Sequence, residues 1–180
     1  QRVNKLIEKD FQGIIPKYDV LQPEDLEILN AFNQDLIEKM KEQMGRFHIS
    51  NTIELVWQTI RNTNKYINDQ APWHLVKKGE MERYKTVIYT LVQAIRNIAI
   101  LLKPFIPASC DKINEWFCFD KDANFSKIGN LESEVPIGKA VSAKEILFPK
   151  VKPPEEHPAS VLDFKVGLIE SCEKVPDSEK

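Results

Sequence analysis

The strongest constraint on the fold is a long apolar pattern of helical period between Met81 and Lys103. Apolar side chains fall on most sides of this segment, which is typical of a helix packed among other helices. Pro104 and Pro107 follow, and a proline cannot continue a helix because it lacks the backbone donor. The pattern therefore predicts a central, buried helix, with a further short helix after Pro107.

The residues before this helix predict three more helices. They are expected from the N-terminus to about Gln12, from Pro23 to about Gly45, and from about Ile49 to Ala71. In the third of these, the apolar residues expected to share one face are Ile49, Ile53, Val56, Trp57, Ile60 and Ile67. The predicted fold class is therefore all-α, a bundle of about five helices.

The C-terminal part is predicted to leave the bundle. Residues 119–149 look irregular, and Ile146–Phe148 is expected to pack on the bundle as an apolar plug. Prolines between residues 151 and 160 predict a semi-rigid linker, and the β-branched pattern from Val161 to Ile169 predicts a strand. The expected domains are residues 1–150, the linker 151–160, and a separate, truncated module at 161–180.

The composition is that of an ordinary globular protein, with 42% hydrophobic and 29% charged residues. A net charge of −2 argues against nucleic-acid binding by bulk charge but leaves room for a small site that reads shape and stacking. Three cysteines without Cys-x-x-Cys spacing predict reduced thiols in a cytoplasmic protein. Polar residues interrupt the most apolar run, Ile88–Leu102, so no membrane partner is expected.

The chain lacks the sequence signals of catalysis. It has no glycine-rich phosphate loop, its histidines are scattered, and its carboxylates lie mainly on the predicted solvent faces of helices. We therefore expect no catalytic residue, no metal site and no cofactor in this chain.

The segment from Asn64 to Trp73 is the strongest candidate for a binding site. The third predicted helix stops at Pro72, which holds Trp73 on a short, stiff stretch. A flat aromatic ring beside amide side chains can bind an unpaired nucleotide base by stacking and hydrogen bonding. Asn64 is expected to point along the apolar stripe, and Tyr66 to pack with a hydrated hydroxyl. On spacing alone, Asn64 could instead tie two helices together, and Trp73 could be an aromatic plug at the end of the bundle.

The order Asn64-Lys-Tyr66…Pro72-Trp73 resembles the Asn-x-Tyr…Pro-Trp signature of methionyl-tRNA synthetases, in their C-terminal helical anticodon-binding domain. This resemblance implies a helical bundle of the class I synthetase anticodon-binding type. Three further segments resemble parts of that domain in the same order, and with them the resemblance covers residues 1–150. These segments are Arg2–Gly13, Leu101–Pro107 and Gly138–Lys150.

The resemblance implies roles in anticodon binding for four residues. Trp73 would stack on the first anticodon base, and Pro72 would fix its pose. Arg2 would hydrogen-bond to base edges, and Asn64 would shape the site. A further asparagine of the family, one helical turn before the arginine, would precede Gln1 and is not in this chain.

The family's catalytic domain, with its His-Ile-Gly-His and Lys-Met-Ser-Lys-Ser motifs, is not in this chain. The apolar pattern of the first predicted helix has already begun where the chain starts, at Gln1. We therefore expect an excised fragment of a methionine–tRNA ligase, a class I aminoacyl-tRNA synthetase. ATP and methionine would bind the missing catalytic domain. The expected partners are the methionine tRNA and that domain, and the fragment alone is expected to activate no methionine. The sequence leaves the oligomeric state open.

Residues 163–180 resemble the opening of the OB-fold tRNA-binding module appended to some methionyl-tRNA synthetases, and an ordinary disordered tail is the alternative. Two other functions remain open for the bundle. A helical protein-interaction module with no RNA role would place Trp73 in the core. The helical domain of another class I synthetase is disfavoured, because the Trp-Tyr-Ile-x-x-x-Lys type of segment is missing. In the interaction-module alternative, the basic residues that would form a merely solvated face are Arg61, Lys65, Lys77 and Lys78.

Overall fold

A computed structural model describes residues 1–128, 135–142, 145–150, 167 and 171. Residues 1–147 form one compact unit and residues 148–180 a second one. Within the described residues, the α-helices are α1 (Arg2–Asp10), α2 (Pro23–Asn30), α3 (Gln34–Gly45), α4 (Ile49–Gln70), α5 (Pro72–Lys78), α6 (Met81–Leu102) and α7 (Pro107–Phe117). The predicted all-α bundle is confirmed. The predicted linker at 151–160 and the predicted strand, apart from Gly167, lie outside the described residues.

The centre of the bundle is α6, as the sequence predicted. Most of its residues are buried, and it packs against α1, α2, α4, α5 and α7. By length and composition α6 could cross a membrane, but most of its apolar stretch is buried inside the bundle, as in the core helix of any globular domain. Because other helices surround α6, it carries apolar residues on almost every side.

The five predicted helices are all present, and two breaks add further elements. The second predicted helix divides into α2 and α3, because the Asn33 side chain accepts a hydrogen bond from the Leu36 backbone N–H at 2.9 Å and caps α3. Phe32, just before this cap, is buried in the core. After α4, Ala71 adopts the left-handed conformation (φ 40°, ψ 60°), and Pro72 then opens the short helix α5.

The face that α4 buries matches the predicted one only in part. Val56 and Ile67 are buried as predicted, whereas Ile49, Ile53 and Trp57 are exposed. Threonines take the buried face, and their hydroxyls donate to carbonyls of the same helix, at 2.7 Å from Thr59 to Val56. A threonine satisfied in this way is buried at little cost, because its hydroxyl keeps a hydrogen bond. The buried residues of α4 are Thr52, Val56, Thr59, Thr63, Tyr66 and Ile67.

The segment after α7 returns to the bundle. Val141 N–H donates to the Gly13 carbonyl at 2.8 Å, and Ile14 forms an antiparallel bridge with Ala140. Gly138 lies in a turn with a φ of 79°, a backbone conformation that glycine adopts without strain. The predicted apolar plug is wrong at Ile146, which is 61% exposed. The buried apolar residues described after α7 are instead Phe119, Ile128, Val135 and Val141.

Candidate nucleic-acid interface

Trp73 lies on a tight corner between two helices. Ala71 reverses the chain in the left-handed region, and Pro72 is buried as the first residue of α5. The Trp73 side chain is 40% exposed, so it is not a core residue. His74 meets the ring edge-on, with ring centroids 6.3 Å apart and planes at 70°. Part of the residue is therefore accessible, and it follows a proline whose backbone is restricted.

An exposed stripe runs along α4 towards this corner. Spacings of four, three and four residues place Trp57, Arg61, Asn64 and Asn68 on one face of the helix, and all four are exposed. The expectation that Asn64 points along the buried stripe is wrong. Because α4 buries its threonine face, the amide of Asn64 faces outward and is free to meet a ligand.

Arg2 reaches the end of this stripe from another helix. Its Nη1 donates to the Asn68 Oδ1 atom at 3.4 Å, and both side chains are exposed. The contact places the guanidinium beside the last turns of α4, five residues before Trp73. The tertiary structure thus brings Arg2 to the asparagine stripe of α4, the helix whose last turn leads into the tryptophan corner. The sequence did not lead us to predict Asn68 as a site residue. Its spacing of one helical turn from Asn64 is the signal that could have identified it.

A buried polar cluster lies under the same corner. The Asp25 carboxylate is 0% exposed and accepts hydrogen bonds from the Tyr66 hydroxyl and from the Arg83 guanidinium. Arg83 Nη2 also donates to Gln70 Oε1, at 2.6 Å. Burial, followed by the hydrogen bond and the charge of Asp25, raises the pKa of Tyr66. The expectation of a hydrated Tyr66 hydroxyl is therefore wrong, because an inward carboxylate from α2 binds it.

Exposed basic side chains occur on both helices that meet at this corner. Lys65 on α4 and the two lysines that end α5, Lys77 and Lys78, are exposed. Arg61 is paired with Glu54 and donates to Gln58 Oε1 at 2.8 Å. In the part of the chain that the structure describes, no group of three metal-binding side chains occurs. The chemistry that the site offers is stacking, amide and guanidinium hydrogen bonds, and local positive charge.

Comparison with known proteins decides the family. The family model described as the anticodon binding domain of methionyl tRNA ligase matches residues 15–160. The chain belongs to this family. Asn64, Pro72 and Trp73 lie inside the matched range, and Arg2 precedes it. The resemblance inferred from the Asn-x-Tyr…Pro-Trp signature is therefore confirmed.

Relatives of this family match the chain over a limited part of their own length. The methionine–tRNA ligase of Caldanaerobacter subterraneus subsp. tengcongensis is 33% identical over 154 residues, which are 83% of this chain and 23% of that protein. The methionine–tRNA ligase of Thermotoga maritima is 26% identical, over 99% of this chain and 31% of its own length. This chain thus spans less than a third of either relative.

A solved structure shares the fold. The apo form of Mycobacterium tuberculosis methionyl-tRNA synthetase superposes with a TM-score of 0.76 and 23% identity, over 86% of this chain and 31% of that one. At this identity the likeness concerns the fold. It confirms the predicted architecture of an all-α bundle.

Proposed function

We propose that this chain recognises the anticodon of the methionine tRNA as a non-catalytic part of a methionine–tRNA ligase. The observation that carries the proposal is Trp73, an exposed ring on a proline-restricted corner, beside the Arg2–Asn68 pair. Exposed aromatic rings next to fixed hydrogen-bonding groups bind splayed single-stranded bases. Membership of the anticodon-binding family supports the same substrate.

The four predicted site residues divide the work of recognition. Trp73 stacks on an anticodon base, and Pro72 limits the positions that the ring can take. Arg2 donates to base edges, with its guanidinium oriented by Asn68. The exposed amide of Asn64, one turn before Asn68, shapes the adjoining surface and offers both a donor and an acceptor.

Electrostatics contribute in a local way. Lys65, Lys77 and Lys78 are exposed near the corner and can meet phosphates that flank the anticodon. The net charge of −2 means that the whole surface does not attract RNA. We therefore expect the affinity for RNA to fall only moderately as the salt concentration rises, as for a protein that contacts a few phosphates. We expect it to depend strongly on the anticodon sequence.

The chemistry of the parent enzyme lies in a domain beyond this chain. ATP and methionine are bound and joined there, and this chain contributes no cofactor site and no catalytic residue to that step. We infer that the enzyme acts in the cytoplasm. Residues 1–150 form the anticodon-binding domain of this proposal, residues 151–160 the linker, and residues 161–180 the start of an OB-fold tRNA-binding module.

Binding of anticodon stem-loop RNA tests the proposal. We expect the wild-type chain to prefer a stem-loop with the CAU anticodon over one with an altered anticodon. Trp73→Ala should weaken CAU binding about tenfold or more, because stacking is worth ~1–3 kcal/mol and ~1.4 kcal/mol is a factor of ten. Trp73→Phe, which keeps a ring, should recover part of the loss. Phe47→Ala removes another exposed aromatic side chain, at the junction of α3 and α4, and is the matched control.

Two results would contradict the anticodon proposal. One is full discrimination between the stem-loops in Trp73→Ala. The other is a loss of binding that follows a loss of thermal stability in step, since Trp73 would then act as a packing residue. In the full-length ligase, the same substitution should reduce aminoacylation while methionine-dependent pyrophosphate exchange stays unchanged.

A second exposed surface supports a protein contact in addition to the RNA contact. Phe47, Ile49, Ile53 and Trp57 are exposed apolar residues around the start of α4. Exposed apolar patches of this kind mark contacts with other protein surfaces. We propose that the ligase's own catalytic domain covers this patch. Ile53→Glu should then weaken association between separately expressed catalytic domain and this chain, and leave stem-loop binding by the isolated chain unchanged.

A further inference from the structure

The buried Asp25 carboxylate joins three helices under the tryptophan corner. It lies in the first turn of α2, where its Oδ2 accepts from the Gln22 backbone N–H at 2.8 Å. Tyr66 on α4 and Arg83 on α6 donate to the same carboxylate. Asp25 thereby caps its own helix and ties α4 to α6. Two of these donors are side chains that project from the neighbouring helices α4 and α6.

Arg83 extends this cluster to the last residue of α4. Its Nη2 lies 2.9 Å from Asp25 Oδ1 and 2.6 Å from Gln70 Oε1, and the Arg83 side chain is 12% exposed. The planar guanidinium can satisfy both acceptors at once because its donors are held in a rigid fork. Helix ends fray when their last turn has no external partner, and the hydrogen bond to Gln70 supplies that partner.

The backbone directly after Gln70 is in a conformation that needs support. Ala71 lies in the left-handed region at φ 40°, and it precedes a proline, which restricts it further. Residues in such conformations persist where the surrounding structure holds them in place. The cluster holds the residue before Ala71, and Pro72 is buried after it. Trp73 follows at once, so its position depends on this corner.

Stability alone is a weak reason for such a cluster. A buried ion pair is often replaced by apolar residues of similar volume without loss of stability. An apolar cluster could not hold the polar end of α4 in one orientation through a directed hydrogen bond. One member of the cluster, Gln70, lies three residues before the exposed Trp73. This location indicates that the cluster orients the tryptophan.

We propose that Asp25, Tyr66, Arg83 and Gln70 are positioning residues for Trp73, which hold the ring ready for an RNA base before RNA binds. This inference rests on the proposed anticodon function for its biological meaning, but the orientation of the ring is a property of the chain alone. The two can therefore be tested separately.

Gln70→Leu is the sharpest variant, because it cuts the link to the corner and leaves the Asp25–Arg83 pair intact. Tyr66→Phe removes one hydroxyl from the cluster. Its matched control is Tyr84→Phe, since the buried Tyr84 hydroxyl donates to the Asp10 carboxylate at 2.7 Å, on α1. Gln70→Glu restores an acceptor and is the conservative rescue.

The first readout is the environment of Trp73 without RNA. Labelling with 5-fluorotryptophan gives a separate 19F signal for each tryptophan, and Trp73→Phe identifies the signal of Trp73. We expect that signal to shift and broaden in Gln70→Leu and Tyr66→Phe, and to remain unchanged in Tyr84→Phe and Gln70→Glu. A Trp73 signal unchanged in Gln70→Leu would overturn the positioning role.

The second readout is binding of CAU stem-loop RNA. Gln70→Leu should weaken it about three- to tenfold, a part of the loss expected when the stacking ring itself is removed. Gln70→Glu should restore it, and Tyr84→Phe should leave it unchanged even where it lowers the melting temperature. Equal weakening by Tyr66→Phe and Tyr84→Phe would also overturn the positioning role. If Trp73→Ala has no effect on RNA binding while the 19F signals respond as expected, the anticodon function fails and the positioning of Trp73 stands.

Discussion

Arg2 and Asn68 are 66 residues apart in the chain, and the Arg2 Nη1 atom donates to Asn68 Oδ1 at 3.4 Å. The contact joins the first turn of α1 to the last turns of α4. Both side chains are exposed, so the hydrogen bond adds little to stability. The hydrogen bond instead orients the Arg2 guanidinium, because it holds that group on the same stripe as Asn64, near the end of the helix that leads to Trp73.

Asn68→Ala tests whether this orientation matters for binding. The variant should weaken binding of the CAU stem-loop about two- to fivefold, which corresponds to the ~0.5–1 kcal/mol of a single hydrogen bond. Isothermal titration of wild type and variant measures the change. Asn51→Ala is the matched control, because Asn51 is an exposed amide near the other end of α4 that donates to Gln43. Equal losses in the two variants, or a fall in melting temperature with Asn68→Ala, would contradict the prediction.

Asp25→Ala should destabilise the bundle strongly. It leaves the mostly buried Arg83 without its carboxylate, and breaking one side of a buried ion pair typically costs about 3–5 kcal/mol. Urea unfolding followed by circular dichroism gives the free energy of unfolding. Asp35→Ala is the control, because the Asp35–Lys39 pair is exposed and such pairs contribute about 0.5 kcal/mol or less. A loss below about 1 kcal/mol for Asp25→Ala would show that the cluster is not held as described.

Alkaline pH should unfold the protein in a way that depends on its buried tyrosines. Burial raises the pKa of Tyr66, Tyr84 and Tyr89, and for Tyr66 and Tyr84 hydrogen bonds to carboxylates raise it further. The unfolded chain therefore releases these protons at a lower pH than the folded chain does. The stabilisation is complete below pH 10, the ordinary tyrosine pKa, and is lost as the pH rises above it.

The melting temperature between pH 8 and pH 12 measures this dependence. We expect it to fall steeply above pH 10, and to fall less steeply in the double variant Tyr66→Phe/Tyr84→Phe. An identical pH profile in wild type and double variant would contradict the assignment of the alkaline transition to these two hydroxyls.

The described cysteines should differ in reactivity. Cys110 is buried in α7, and burial raises the pKa of its thiol, whereas Cys118 follows the same helix and is exposed. Because the thiolate is the reactive form, N-ethylmaleimide should modify Cys118 about tenfold faster or more. Peptide mapping by mass spectrometry distinguishes the two sites. In urea the two rates should become similar, and similar rates in the native protein would contradict the burial of Cys110.

The central helix α6 was predictable because its signals are local. Apolar residues on most of its sides require burial whatever packs against them, and Pro104 ends the helix through its own backbone. The short helix α5 was missed, although a proline at the first position of a helix is a local signal for its start. The break between α2 and α3 was missed because Asn33 can cap a helix or simply lie on its surface, and packing of Phe32 selects the cap.

The orientation of α4 was not predictable from hydrophobicity. Isoleucine and tryptophan outrank threonine on any scale of burial, yet Ile53 and Trp57 are exposed while Thr59 and Thr63 are buried. The threonine hydroxyls donate to carbonyls within the helix, which removes most of the cost of burying them. This shift of the buried face leaves the Asn64 amide pointing outward, and it decided which residues form the candidate interface.

The sequence by itself determined the five predicted helical segments, their order along the chain, and the tryptophan directly after a helix-ending proline. These features depend on residues within one or two helical turns of each other. The tertiary structure alone decided that Arg2 meets Asn68, that Tyr66 meets Asp25, and that Arg83 meets Asp25, across separations of 66, 41 and 58 residues. No local pattern specifies such pairs, because they form only when the packing of whole helices around α6 has chosen which faces meet.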